Sequence, residues 1–194
     1  MLLTPPLCAR CGAPTAWPVE RCAECSGRRL PFRAARAAVA YEGPAQRLVR
    51  AWKERGLRRI AEEAAQMVAE VVPAPAAASA VVFIPGDPER TGWRGVNAAE
   101  SLARELAEAW GISCGAALRR TGRSPPQRGL PRAMRRANVR GVFEARASVP
   151  PRVVLVDDVY TTGATVSAAA TELRRAGARS VEVVTFARAV RRAA

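Results

Sequence analysis

The chain has 194 residues, 49% of them hydrophobic, which is enough for one domain with a real core plus a small module and too few for two large domains. Its formal charge is +14, and all but one of its 31 basic residues are arginine, a balance that suits a phosphate-rich substrate or partner; a soluble basic protein without such a partner is the alternative. No stretch reaches the run of about 18 apolar residues that a membrane span needs, and the start "MLLTPPLCARCG" lacks the basic-then-apolar pattern of a secretory leader, so a cytoplasmic protein without membrane insertion is expected.

In chain order, residues 1–33 hold four of the five cysteines and several prolines but no sustained apolar period, the mark of a small module held by something other than a core. From Arg36, "AAVAYEG" reads as a short strand, Pro44 to Arg55 as a helix with proline in its first turn, and Arg58 to Val71 as a second helix. "PAPAAAS" is a connector into the strand "AVVFIP" at Ala80 to Pro85. A turn-rich segment then leads to a helix from Asn97, a good cap, to Trp110, followed by the strand "ISCGAAL". Between Arg119 and Arg140 stand eight arginines and no acid, with a short helix expected near Pro131 to Ala137. Arg152 to Val156 is a strand, Thr165 to Arg175 a helix ended by Gly177, and Val181 to Phe186 a strand. Strand and helix alternate through most of residues 80–190, which predicts an α/β fold: a mainly parallel sheet flanked by helices. The expected division is a four-cysteine module at 1–33 and an α/β domain at 34–194.

"VVLVDDVYTTGATV", from Val153 to Val166, carries the strongest chemical signal. Ligands of open parallel sheets bind beyond the carboxyl ends of strands, where Asp157 and Asp158 are expected to stand. Two adjacent carboxylates are costly to bury, so a wet crevice suits them, with a sugar diol or a cation as partner. The loop after them enters a helix N-terminus, whose free N–H groups and dipole favour an anion. Gly163 permits close approach, and Thr161, Thr162 and Thr165 add hydroxyl donors. Acid pair and anion loop together describe a ribose 5-phosphate. A receiver domain would need about 100 further residues after its acid pair, whereas 36 follow Asp158. A nucleotide P-loop would need a lysine after glycine, and there is none.

Cys8, Cys11, Cys22 and Cys25 form two C-x2-C pairs ten residues apart, the spacing of a tetrahedral zinc site. The chain has no histidine, so an all-cysteine site is the expected set, and four thiolates leave no open position, making the metal structural. Disulfides are the alternative, disfavoured in a reducing compartment. Cys114, alone in an apolar strand, reads as a core residue.

The stretch "VVLVDDVYTTGAT" resembles the phosphoribosyl pyrophosphate (PRPP) motif of type I phosphoribosyltransferases. The resemblance implies that Asp157 and Asp158 bind the ribose hydroxyls while Thr161, Thr162, Gly163, Ala164 and Thr165 wrap the 5-phosphate. With the four-cysteine module at the N-terminus, the chain is similar to the ComF family, competence-protein relatives of amidophosphoribosyltransferases. "YEGPAQRLVRAWKERG", with Lys53 and Gly56 in a Lys-x-x-Gly core, and "RTGRSPPQRGLPRAMRRANVRGVF" match that family's patterns, so the resemblance covers nearly the whole chain. "IPGDPERTGWRGVNAAE" departs from it: Gly86, Asp87, Glu89 and Arg90 occupy the turn where type I enzymes bind pyrophosphate. The resemblance implies a type I phosphoribosyltransferase-like fold with structural Zn2+, and PRPP or another phosphorylated ribose bound with Mg2+. Asp157, Asp158 and Lys53 are then the catalytic candidates, and Arg90, Arg94, Arg120, Arg128, Arg135 and Arg136 the candidates for pyrophosphate or another polyanion. It also implies a link to DNA uptake in natural transformation, the rival role being a non-catalytic accessory protein that binds single-stranded DNA alongside a competence helicase. Lys53, the sole lysine, is where a compact point charge would be wanted; chance survival is the other explanation.

Overall fold

The computed structural model describes residues 1–75, 77–87, 96–121, 141–146 and 148–190. In chain order the elements are β1 (Ala34–Ala40), α1 (Gly43–Arg55), α2 (Arg58–Val71), β2 (Ala80–Phe83), α3 (Ala98–Trp110), β3 (Cys114–Gly115), β4 (Leu118–Arg120), β5 (Phe143–Ala145), β6 (Arg152–Tyr160), α4 (Ala164–Arg175) and β7 (Ser180–Arg188). Five strands form one parallel sheet in the order β1-β7-β6-β2-β3. The antiparallel pair β4–β5 forms a second, two-stranded sheet. Among the described residues no helix is long and apolar enough to cross a membrane.

Helices cover the sheet on both faces, which is why β6 and β7 read as near-continuous apolar runs rather than alternating ones. On one face α1, α2 and α3 set Val49, Trp52, Val68, Leu102 and Leu106 against Val154, Val156, Val184 and Phe186. On the other, α4 sets Val166, Ala169 and Leu173 against Val153, Leu155, Val181 and Val183. Each large aliphatic side chain so buried contributes about 1.5–3 kcal/mol relative to exposure. Local chemistry fixes the helix ends: Pro44 lies in the first turn of α1, and the Asn97 side chain caps α3 by accepting the Ala99 N–H at 3.2 Å.

The alternation predicted an α/β fold with a parallel sheet, and the observed architecture agrees. Cys8, Cys11, Cys25, Leu30 and Phe32 of the cysteine-rich segment join the apolar cluster on the α4 face of the sheet. Several local expectations need correction. The expected strand "ISCGAAL" divides into β3 and β4, which belong to different sheets. Cys114 is only half-buried, since β3 is the two-residue edge of its sheet. β2 stops at Phe83, whereas β6 runs on to Tyr160, four residues past its expected end, because β7 continues to pair with it as far as Tyr160↔Arg188. The short helix expected near 131–137 lies outside the described residues.

Candidate functional site

The acid pair lies inside β6 rather than after it, near the strand's carboxyl end. β2 follows β6 only as far as Phe83↔Val156, with the Ile84 N–H donating to Val156 O at 3.0 Å; beyond that point no described residue pairs with β6 on that edge. The chain leaves β2 for α3 on one face of the sheet and leaves β6 for α4 on the other. Adjacent strands whose connections diverge in this way open a crevice at their carboxyl ends. Asp157 and Asp158 occupy that position.

Both acids are buried, at 9% and 7% exposure, and the Asp158 N–H donates to Asp157 Oδ1 at 2.9 Å. Burial first, and the neighbouring Asp158 carboxylate second, push the Asp157 carboxyl well above the ordinary carboxylate range. Lys53, in the last turn of α1, reaches across to form an ion pair with Asp158 Oδ2. Burial alone would lower the Lys53 ammonium, but Asp158 and then Asp157 outweigh it and the net shift is upward. Gly56, three residues on, closes α1 in the left-handed conformation at φ 62° and lets the chain turn away just past the lysine. The single lysine thus stands beside the acid pair, in an ion pair with Asp158.

The turn after β6 holds the phosphate-type residues. Thr162 is buried, and its Oγ1 accepts the Ala164 N–H at 3.3 Å. Gly163 has φ +74°, and a Cβ there would collide with the Tyr160 hydroxyl, so no larger residue fits without displacing that ring. The first bond within α4 runs from the Ser167 N–H to Gly163 O at 2.9 Å. The Thr165 and Val166 amides therefore precede the intrahelical ladder and, with the helix dipole, make a seat for an anion. Thr161, Thr162, Gly163, Ala164 and Thr165 all stand in this turn and the first residues of α4, directly after the acids.

Of the other anion candidates, Arg120 alone lies within the described residues. Arg120 lies on β4 with its guanidinium over the Phe143 ring, 5.3 Å from the centroid. Arg90, Arg94, Arg128, Arg135 and Arg136 lie outside the described residues.

The four cysteine Sγ atoms lie within 4.8 Å of one another, with Cys8–Cys25 at 3.6 Å and Cys11–Cys22 at 3.5 Å. A tetrahedral zinc with Zn–S of about 2.3 Å has S···S edges of about 3.8 Å, which this cluster fits. Disulfides of about 2.05 Å are excluded at these separations, and all four thiols are free. Burial raises the Cys11 and Cys25 thiols. At Cys8 burial is outweighed by backbone N–H groups of Cys11, Arg10 and Cys22, and the thiol falls to about 7. The cluster could hold a metal ion such as zinc.

Three residues around the turn were not singled out in the sequence: Arg28, Tyr160 and Arg188. Arg28 Nη2 donates to Thr162 O at 3.0 Å. Arg188, only 2% exposed at the end of β7, donates to Cys11 O at 2.6 Å and to Glu24 Oε2 at 3.1 Å while covering the Tyr160 ring at 4.5 Å. The signal for Arg188 was an arginine closing the apolar run "VEVVTFAR"; Arg28 carried none.

No family model matches the chain. It is 29% identical over 185 residues to the DNA utilization protein YhgH of Salmonella typhimurium, covering 91% of this chain and 82% of that protein. The same protein of Escherichia coli strain K12 is 29% identical over 187 residues with the same coverage. Competence protein F of Haemophilus influenzae is 33% identical over 115 residues, 57% of this chain and 50% of that one. These relatives bear out the ComF resemblance read from the sequence. Among solved structures, a glutamine PRPP amidotransferase from B. subtilis matches 64% of this chain and 25% of its own at 28% identity, TM-score 0.44. TT1426 from Thermus thermophilus matches 69% of this chain and 86% of its own at 21% identity, TM-score 0.41.

Proposed function

We propose that this ComF-like chain binds PRPP or another ribose 5-phosphate with Mg2+, in a role linked to DNA uptake. The observation that carries the reading is the continuity of two half-sites on one strand and turn: a buried acid pair at the opened edge of β6, then a glycine-bent turn at the N-terminus of α4. Asp157 and Asp158 accept hydrogen bonds from the 2- and 3-hydroxyls, and the turn from Thr161 to Thr165 holds the 5-phosphate. Lys53 pairs with Asp158 and supplies positive charge beside the ribose. Mg2+ would supply charge neutralisation for the pyrophosphate group.

In its catalytic form, this reading has a nitrogen nucleophile displace pyrophosphate at ribose C1. The C1–N bond forms, the C1–O bond breaks with its electron pair leaving on pyrophosphate, and the nitrogen gives up its proton to solvent water. No covalent residue is required; the chain's part is electrostatic and positional. Arg90, Arg94 and the arginines of the 119–140 segment are assigned to the departing pyrophosphate from the sequence alone.

A second reading rests on the charge of +14 and its concentration in the 119–140 segment. Here the chain binds single-stranded DNA as an accessory protein, a role in keeping with the names of its relatives. Calorimetric titration of PRPP, with and without Mg2+, into wild type and into Asp157→Asn/Asp158→Asn decides between them. Binding heat in wild type that is lost in the double variant supports the ribose-phosphate reading. Equal heats, or none in either, overturn it.

A further inference from the structure

The cysteine cluster and the phosphate turn are joined by two short chains of contacts, both made of residues outside the acid pair and the turn. In the first, the buried Arg188 guanidinium donates to Cys11 O at 2.6 Å, approaches Cys11 Sγ at 3.7 Å, and pairs with Glu24 at 3.1 Å. Its flat face lies 4.5 Å from the centre of the Tyr160 ring, which Phe32 meets edge-on at 6.4 Å. The Tyr160 hydroxyl in turn sits where a Gly163 Cβ would be. In the second, Arg28 donates to Glu24 O at 3.4 Å and to Thr162 O at 3.0 Å. Glu24 lies between Cys22 and Cys25, so both chains begin within the second C-x2-C turn or against Cys11.

A zinc ion with four thiolates carries a net charge of −2, and a guanidinium donating toward one sulfur and its carbonyl offsets part of that charge. The same guanidinium is buried and is also stabilised by Glu24, the Cys11 carbonyl and the Tyr160 face, the first two of which lie in or beside the C-x2-C turns.

We propose that Arg188 and Arg28 are positioning residues through which the metal held by Cys8, Cys11, Cys22 and Cys25 fixes the phosphate turn at Thr162 and Gly163. The metal module is thereby a conformational support of the ligand site. With the ion bound, the turn is held in its anion-binding shape; with the ion removed, the anchors of Arg188 and Arg28 are no longer fixed in place and the turn loosens. The consequence for ligand affinity rests on the ribose-phosphate reading, whereas the consequence for the turn itself does not.

Amide hydrogen exchange over residues 160–166 tests the inference directly, with ribose 5-phosphate titrated into the same samples. The comparison covers metal-loaded wild type, wild type treated with a chelator, and metal-loaded Arg28→Met and Arg188→Met. Chelation and each substitution are expected to speed exchange in the turn and weaken ribose 5-phosphate binding by about fivefold or more, while amides of residues 153–156 stay protected. Unchanged exchange in the turn, with 153–156 still protected, overturns the inference. Where Arg188→Met or chelation unfolds the whole chain, the half-buried Arg28 decides the matter: metal-loaded Arg28→Met must still loosen the turn, and a turn left as protected as in wild type overturns the inference. Faster exchange without any ribose 5-phosphate binding in wild type would support the coupling and remove the ligand reading.

Discussion

Asp157 is held in a place that costs stability. Its carboxyl is buried, beside a second carboxylate, and raised well above the ordinary range, so the folded chain binds its proton more tightly than the unfolded chain does. The sign follows: its contribution is most favourable below the ordinary carboxylate range and is lost as pH rises through the raised value. Asp157→Asn removes the charge at little change in shape. It is therefore expected to stabilise the ligand-free protein at neutral pH by on the order of 1 kcal/mol while abolishing ribose 5-phosphate binding. Thermal unfolding and calorimetry on one preparation check both halves, and a less stable Asn variant would contradict the account. Lys53 has the same sign at a higher pH: raised by its acid partners, its contribution holds up to the ordinary lysine range and is lost as pH rises through the raised value. Lys53→Met leaves Asp158 without its cation and should weaken ligand binding by about tenfold or more.

The turn between β6 and α4 depends on one backbone conformation. Gly163→Ala must adopt φ near +74° and push against Tyr160, so a loss of about 1–3 kcal/mol in stability is expected, with ligand affinity falling further than the unfolding midpoint alone implies. Unfolding in denaturant alongside ligand titration separates the two effects. Much of this element was legible: four aliphatic residues, two acids and a small-residue turn before a helix announce a strand, its acid-bearing end and a helix N-terminus in the order the structure shows. The extent of β6 was not, because it depends on pairing with β7, and no local pattern in "DDVY" reports how far a distant strand continues. Lys53 could be picked out as the chain's sole lysine, but its contact with Asp158 could not, since α1 and β6 lie about a hundred residues apart. The two C-x2-C pairs pointed to a cluster of four thiols by spacing alone; that the residues flanking the second pair reach the turn after β6 follows only from packing.

At the scale of the whole molecule, a parallel sheet covered on both faces places its divergent β2 and β6 connections at one end, and the acid pair, Lys53 and the anion turn collect there. The charge of +14 is a separate property, concentrated in sequence between Arg119 and Arg140. If single-stranded DNA is a partner, its affinity should fall steeply with salt, with a slope of about −0.7 for each phosphate neutralised, and should survive Asp157→Asn/Asp158→Asn. A flat salt dependence removes the electrostatic argument for that partner. The central claim, that carboxylates grip a ribose diol while the turn grips its phosphate, is tested most directly by comparing ribose 5-phosphate with 2-deoxyribose 5-phosphate by calorimetry. The account predicts that loss of the 2-hydroxyl weakens binding by about tenfold or more in wild type, and that neither sugar gives a binding heat with Asp157→Asn/Asp158→Asn. Equal affinity of the wild-type protein for the two sugars would contradict it.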